Sequence, residues 1–234
     1  MKQLAEFFQD KRIRNLLDVG TGTGDFIKVL KDVFPKSQIT GIDPDPGSLK
    51  EASEKYPGVK LLKMGAENLE FKDNSFELAS ISMALHHLTD VQGSLKEMQR
   101  VVKRGGWVII NELFSDQLNP AQEVHKIYHH FRSATHRILG ISHNETFKRS
   151  EIVEMIKNSG ISIQVQFDNH NEDKLVAGSE VLNERIQKMK EMLETVKDFP
   201  EYDSLKPSID LFREQYLKYG FQPASRVVLV GKVI

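Results

Sequence analysis

The sequence predicts an α/β domain built on a doubly wound, mostly parallel sheet of about seven strands, with helical insertions toward its C-terminal half. Two observations carry this. From Leu16 to Phe114 short β-type runs alternate with helix-type runs, the pattern of a parallel sheet covered on both faces. Each β-type run also ends in a loop rich in Gly, Asp, Pro or His, and ligands of such sheets bind outside the carboxyl ends of the strands.

The strands read as Asn15 to Val19, Gln38 to Asp43, Val59 to Met64, Phe76 to Met83, Trp107 to Leu113, Ile161 to Phe167 and Arg226 to Val233. Helices are predicted over Gly24 to Phe34, Gly47 to Lys55 and Val91 to Lys103, stopped by Pro35, by Pro57-Gly58 and by Gly105-Gly106. A further helix covers Arg149 to Ser159, ahead of Gly160. Two excursions leave this frame. Residues 115–148 carry an apolar helical stripe of Val124, Ile127, Phe131, Ala134 and Ile138. Residues 171–222 hold two stripes, Leu182, Ile186, Met189, Leu193, Val196 and then Leu205, Ile209, Phe212, Tyr216, Tyr219, which read as a helical hairpin around Phe199-Pro200. Such a stripe serves as an intramolecular packing seam or as a homodimer interface. We treat residues 1–234 as one domain carrying both insertions.

Composition removes several function classes. With no cysteine, thiolate nucleophiles, thiol-ligated zinc, iron–sulfur clusters and disulfides are absent. A net charge of −1 gives no bulk attraction to nucleic acid. No apolar run reaches the roughly 20 residues of a membrane helix. The first residues, Met1 to Arg14, lack the apolar core and cleavage site of a secretory signal, so the expected location is cytoplasmic.

The densest chemical signal is Leu16-Leu17-Asp18-Val19-Gly20-Thr21-Gly22-Thr23-Gly24, an apolar strand entering a turn with glycine at every second position. Glycine lets the backbone turn tightly and lets a ligand lie against it. The dinucleotide fingerprint is G-x-G-x-x-G over a helix N-terminus that binds pyrophosphate; here the spacing is G-x-G-x-G, and Asp18 precedes it. A carboxylate there suits an ammonium group better than phosphates. The second strand ends in Gly41-Ile42-Asp43-Pro44-Asp45, whose acid offers two acceptor oxygens to two vicinal ribose hydroxyls. The third ends in Gly65-Ala66-Glu67-Asn68-Leu69, suited to an adenine edge. Together they describe a site for adenosine with an amino-acid tail.

LLDVGTGTG, GIDPD, GAENLEF, FELASISMALHHL and KRGGWVII, in this order, resemble the successive motifs of class I S-adenosylmethionine-dependent methyltransferases. Within that class they are most similar to the small-molecule branch that includes quinone-biosynthesis C-methyltransferases. The resemblance implies a Rossmann-like sheet with an antiparallel edge strand, S-adenosylmethionine as cofactor and S-adenosylhomocysteine as product. It places Asp18 under the methionine moiety and gives the cofactor loop to Gly20, Thr21, Gly22 and Gly24. Asp43 and Pro44 fall to the ribose, Ala66 and Glu67 to the adenine, and Ser82 and Leu85 to the end of the fourth strand. The helical insertions would then form a lid over a small-molecule acceptor.

Candidate bases are His86, His87 and Glu112, at the ends of the fourth and fifth strands. The segment around them lacks the Asn/Asp-Pro-Pro-aromatic tetrapeptide of enzymes that methylate exocyclic or amide nitrogens. In the first insertion His125, His129, Arg132 and His136 recur at spacings of four, three and four. They read first as a solvated polar face, next, for His125, His129 and Arg132, as a binding surface for the acceptor, and last as a metal-chelating set, with no metal assigned. Two rival readings remain: a non-catalytic S-adenosylmethionine-binding sensor or complex subunit, and a nicotinamide-dependent oxidoreductase, which the glycine spacing disfavours.

Overall fold

Four of the five residues of β1 (Asn15–Val19) are buried, which a strand attains only when both sheet faces are covered. In the computed structural model, which describes residues 1–170 and 175–234, β1 pairs in parallel with β2 (Gln38–Asp43) on one side and β4 (Phe76–Ser82) on the other. Beyond β2 lies β3 (Lys60–Lys63), and beyond β4 lie β5 (Val102–Leu113), β7 (Arg226–Val233) and β6 (Ile161–Asn169). The order is β3-β2-β1-β4-β5-β7-β6, parallel through β5 and antiparallel at the far edge. The chain runs outward from β1 to β3 and then returns to β4, so the strand order reverses between β1 and β4. Ligands of open α/β sheets bind at such a switch point.

Apolar faces explain the covering helices. Leu4 and Phe8 of α1 (Lys2–Phe8) join Phe26, Ile27 and Leu30 of α2 (Asp25–Val33) over Leu16, Leu78, Ile109, Val228 and Val230. Trp107 meets Phe7 and Phe8 edge-on, at 5.2 and 5.6 Å between ring centroids. Next come α3 (Pro46–Lys55), α4 (Val91–Val101) and α6 (Arg149–Asn158), the last burying Ile152 and Ile156.

One boundary departs from the sequence reading. The helix after β4 ends at Val101 and not at Lys103, because residues 102–106 belong to β5. Gly105 adopts φ +76°, and the β4–β5 register shifts between Phe76 and Leu78, so these glycines form a bulge inside the strand rather than a helix stop. A Cβ on Gly106 would sit 2.8 Å from the Glu77 carbonyl oxygen, which restricts that position to glycine.

The chain divides into two compact units, residues 1–112, 150–169 and 227–234 in one, residues 113–149 and 170–226 in the other. Residues 171–174, where the second sequence-predicted insertion begins, lie outside the described residues. The second unit contains α5 (Pro120–Ile138), α7 (Ser179–Glu194), α8 (Tyr202–Leu205) and α9 (Pro207–Tyr219). Asn119 and Gln122 form a reciprocal capping box at the start of α5. The stripes face one another within the unit: Val124 and Phe131 of α5, Leu182, Ile186, Met189 and Leu193 of α7, and Ile209, Phe212 and Tyr216 of α9 share one core. Among the described residues no helix is long and apolar enough to cross a membrane.

Phe212, fully buried in that core, should cost about 3–5 kcal/mol when truncated to alanine. Urea unfolding of Phe212→Ala checks this; a loss below about 1 kcal/mol would show that the unit is not held by this seam.

Candidate active site

The glycine loop is shaped by three left-handed residues, Gly20, Gly22 and Gly24, at φ +65°, +51° and +87°, a region that L side chains occupy only with strain. Gly20 faces β4 so closely that a Cβ there would lie 2.6 Å from the Ala84 Cβ. Gly22 has nothing within 4 Å of that position, which leaves its backbone open to a ligand. Gly24 caps α2, and its amide donates to the Thr21 carbonyl at 2.9 Å.

Asp18 is 1% exposed. Its oxygens accept from Thr21 Oγ1 at 2.6 Å and from Ser80 Oγ at 2.7 Å, joining β1, the loop and β4 at the switch point. Burial pushes its carboxyl up to about 6, against the lowering effect of the two hydroxyls.

Asp43 ends β2 and accepts from the Gly22 amide and the Asp45 amide, both at 2.9 Å. The helix cap is a different acid: Asp45 accepts from the Gly47 and Ser48 amides at the start of α3. Asp43 is therefore tied to the glycine loop rather than spent on α3, while Pro44 beside it is exposed. After β3, Ala66 is buried and Glu67 exposed, with Glu67 Oε1 accepting from the Thr89 amide at 3.3 Å.

The chain that follows is held by a network without a sequence signature. Arg100 of α4 donates to the Leu69 and Phe71 carbonyls and to Asp73, each at 2.8 Å, and pairs with Glu97. Glu97 Oε2 in turn accepts from the Leu69 amide at 2.9 Å. The Leu69 and Phe71 partners are main-chain carbonyls, which no side-chain pattern announces.

At the tip of β4, Met83 takes φ +57°, strain of the kind that collects at functional sites. Ser82 Oγ accepts from Asn111 Nδ2 at 2.8 Å. Asn111, 1% exposed, has no hydrogen-bond partner for Oδ1 among the described residues, and it belongs to none of the motifs read from the sequence. A 3-10 turn, Leu85–His87, follows. His86 Nδ1 lies 2.9 Å from Glu112 Oε1, and Glu112 Oε2 accepts from the Leu85 amide at 2.8 Å. Both side chains are buried, 2% and 1% exposed. With Nδ1–H donating to Glu112 Oε1, the carboxylate orients the ring and sets the tautomer. His87 is exposed, its ring centroid 4.3 Å from that of His86.

In the second unit the histidine stripe of α5 is not a solvated face. His125 Nδ1 accepts from the Ala224 amide at 3.0 Å, and His129 is buried. Burial pushes the Arg132 guanidinium below its ordinary value. The same effect, with the Arg132 charge added, lowers His136. His143, which the sequence analysis passed over, is buried and contacts both His136 and His129.

A cleft of about 730 Å³ lined by Phe8, Lys11, Arg12, Arg14 and Lys36 adjoins the amino ends of β1 and β2, the end opposite the glycine loop. It lacks the loop, the acids and the strand tips that the chemistry needs. The carboxyl-end residues fit S-adenosylmethionine: an open backbone at Gly22, acceptors at Asp18 and Asp43, and the unpartnered oxygen of Asn111 meet an adenosine bearing a cationic amino-acid tail.

Comparison with known proteins agrees. Residues 17–110 match the family model described as a methyltransferase domain. The chain is 31% identical over 146 residues to a demethylmenaquinone methyltransferase of Chlorobaculum tepidum, covering 62% of this chain and 59% of that protein. It is 34% identical over 107 residues to a ubiquinone/menaquinone biosynthesis C-methyltransferase of Campylobacter jejuni, covering 44% and 46%. The chain thus spans about half the length of these curated relatives. A solved structure from Bacillus halodurans C-125 shares the fold, with a TM-score of 0.67 at 19% identity over 100% of this chain and 99% of that one. Motif order, sheet topology and the family match all liken residues 17–110 to a methyltransferase domain.

Proposed function

We propose that the protein transfers a methyl group from S-adenosylmethionine to a small-molecule nucleophile, with His86 as the general base. The buried His86–Glu112 pair carries this reading, because the turn that holds it follows directly on Ala84, against which Gly20 of the cofactor loop packs. When bound, S-adenosylmethionine supplies a methyl group on a sulfonium, whose transfer quenches a positive charge and needs mainly positioning and exclusion of water.

The chain's own residues divide the remaining work. Gly20, Gly22 and Gly24 receive the cofactor against bare backbone, Asp43 accepts from the ribose hydroxyls, and Ala66 and Glu67 flank the adenine. Ser82 and Leu85 border the methionine end, where Asn111 Oδ1 offers an acceptor. His86 takes the acceptor's proton at Nε2, and Glu112 holds the ring and stabilises the imidazolium. A hydroxyl or carbon acid needs that service, whereas an amine of low pKa does not.

Both curated relatives are named for quinone methylation, so an electron-rich aromatic acceptor methylated at carbon is the first candidate, screened beside O and N nucleophiles. The family match ends at residue 110, so the residues read from the sequence as acceptor-binding, His125, His129 and Arg132, fall outside it. A net charge of −1 favours a small molecule over nucleic acid.

Calorimetric titration should give micromolar binding of S-adenosylmethionine and S-adenosylhomocysteine and none of NAD. Cofactor binding without methyl release on any aromatic, hydroxyl or amine acceptor would mark a non-catalytic sensor instead. His86→Gln should lower kcat by about 10²–10⁴-fold and leave S-adenosylhomocysteine affinity within about twofold; parallel losses in both would remove His86 from the chemistry. Asp43→Ala should weaken cofactor binding by about 2–3 kcal/mol, and an unchanged dissociation constant would sink the ribose assignment.

The pH profile tests Asp18. Its carboxyl titrates at about 6 in the fold against 3.8 as a free group. Ionisation therefore costs the fold stability above about pH 6, and that cost fades as pH falls toward 3.8. A ligand with an ammonium group prefers the ionised form, so S-adenosylhomocysteine affinity should be flat above pH 7 and fall by up to about tenfold per unit below about pH 6. Asp18→Asn should flatten the profile; an unaltered slope would place the titrating group elsewhere.

A further inference from the structure

Within the helical unit, His129 of α5 and His143 of the segment after it are 4% and 1% exposed. Their Nε2 atoms lie 3.4 Å apart, with ring planes at 88° and centroids 5.0 Å apart. A nitrogen-to-nitrogen hydrogen bond prefers about 2.7–3.2 Å. Two imidazole nitrogens, each about 2.0–2.1 Å from one tetrahedral ion, stand roughly 3.3–3.4 Å apart. The observed separation is that of two ligands sharing a metal.

The other nitrogen of His143 supports the same arrangement. Nδ1 lies 2.9 Å from His136 Nδ1, and a proton given to His136 fixes the tautomer that leaves the His143 Nε2 lone pair for an ion. An outer hydrogen bond that orients a ligand ring is the regular companion of a histidine–metal bond. Two imidazoles, in a chain without cysteine, suit Zn²⁺, Co²⁺ or Ni²⁺ and not Mg²⁺ or Ca²⁺, which take oxygen ligands.

We propose that His129 and His143 chelate a divalent transition-metal ion, with His136 orienting His143 from behind. The ion ties residues 140–148 to α5 and keeps further coordination positions for oxygen donors. This raises the metal reading, which the sequence placed last, above the solvated face.

The test uses the full, tag-free chain stripped with chelator and titrated with Zn²⁺ by calorimetry and with Co²⁺ by visible absorption. One ion per chain at micromolar or tighter affinity is expected, with a tetrahedral Co²⁺ spectrum. His129→Gln and His143→Gln should each weaken binding about 100-fold or more, while His125→Gln stays within about twofold of the parent. A folded parent protein that takes up no stoichiometric ion overturns the proposal, as do folded variants that bind like the parent. Should both variants fail to fold, X-ray absorption of the Zn²⁺-loaded parent decides. Scattering from two imidazoles at about 2.0–2.1 Å supports the site, and a shell of oxygen atoms alone refutes it.

Discussion

The buried carboxylate of Asp18 is the constraint on which the site depends. An ionised acid removed from water is costly, and here the cost is offset by two hydroxyl donors, one from the glycine loop and one from the neighbouring strand. Those donors sit on the two sides of the strand-order reversal, so a single side chain fixes how the loop stands relative to the tip of β4. Everything argued for the cofactor follows from that fixed relation. Gly20 can approach Ala84, Gly22 remains open, and Asp43 reaches the Gly22 amide only while the loop keeps this path.

Alternation along the strands sorts the remaining polar groups. Asp18 is in register with Ser80, and Ser82 with Asn111, so these four share one face by the two-residue period. Glu112, one residue past Asn111, points to the opposite face, where it meets His86.

What was legible in the sequence is what is local. Strands and helices with a clear period and a glycine or proline stop were placed to within a few residues, and the G-x-G-x-G turn with its preceding acid defined one end of the site. The start of β5 was missed because Gly105-Gly106 signals a helix stop as readily as a bulge, and only pairing with β4 decides. His86 and Glu112 were each singled out, yet their union needed the register of β4 on β5. The grip of Arg100 on the Leu69 and Phe71 carbonyls leaves no trace in the sequence, since every residue has a carbonyl. His143 stood alone in a polar segment, and nothing within fourteen residues of sequence hinted that it would meet His129.

The position of β7 bears on how this chain is made. It is the last strand in sequence, yet it lies inside the sheet between β5 and β6, and Val227, Val228, Leu229 and Val230 are all buried. Until it emerges from the ribosome, β5 and β6 each present an unpaired edge beside apolar surface, a template for pairing with another chain. Closure of the sheet is thereby deferred until β7 has been made, well after the two strands it joins.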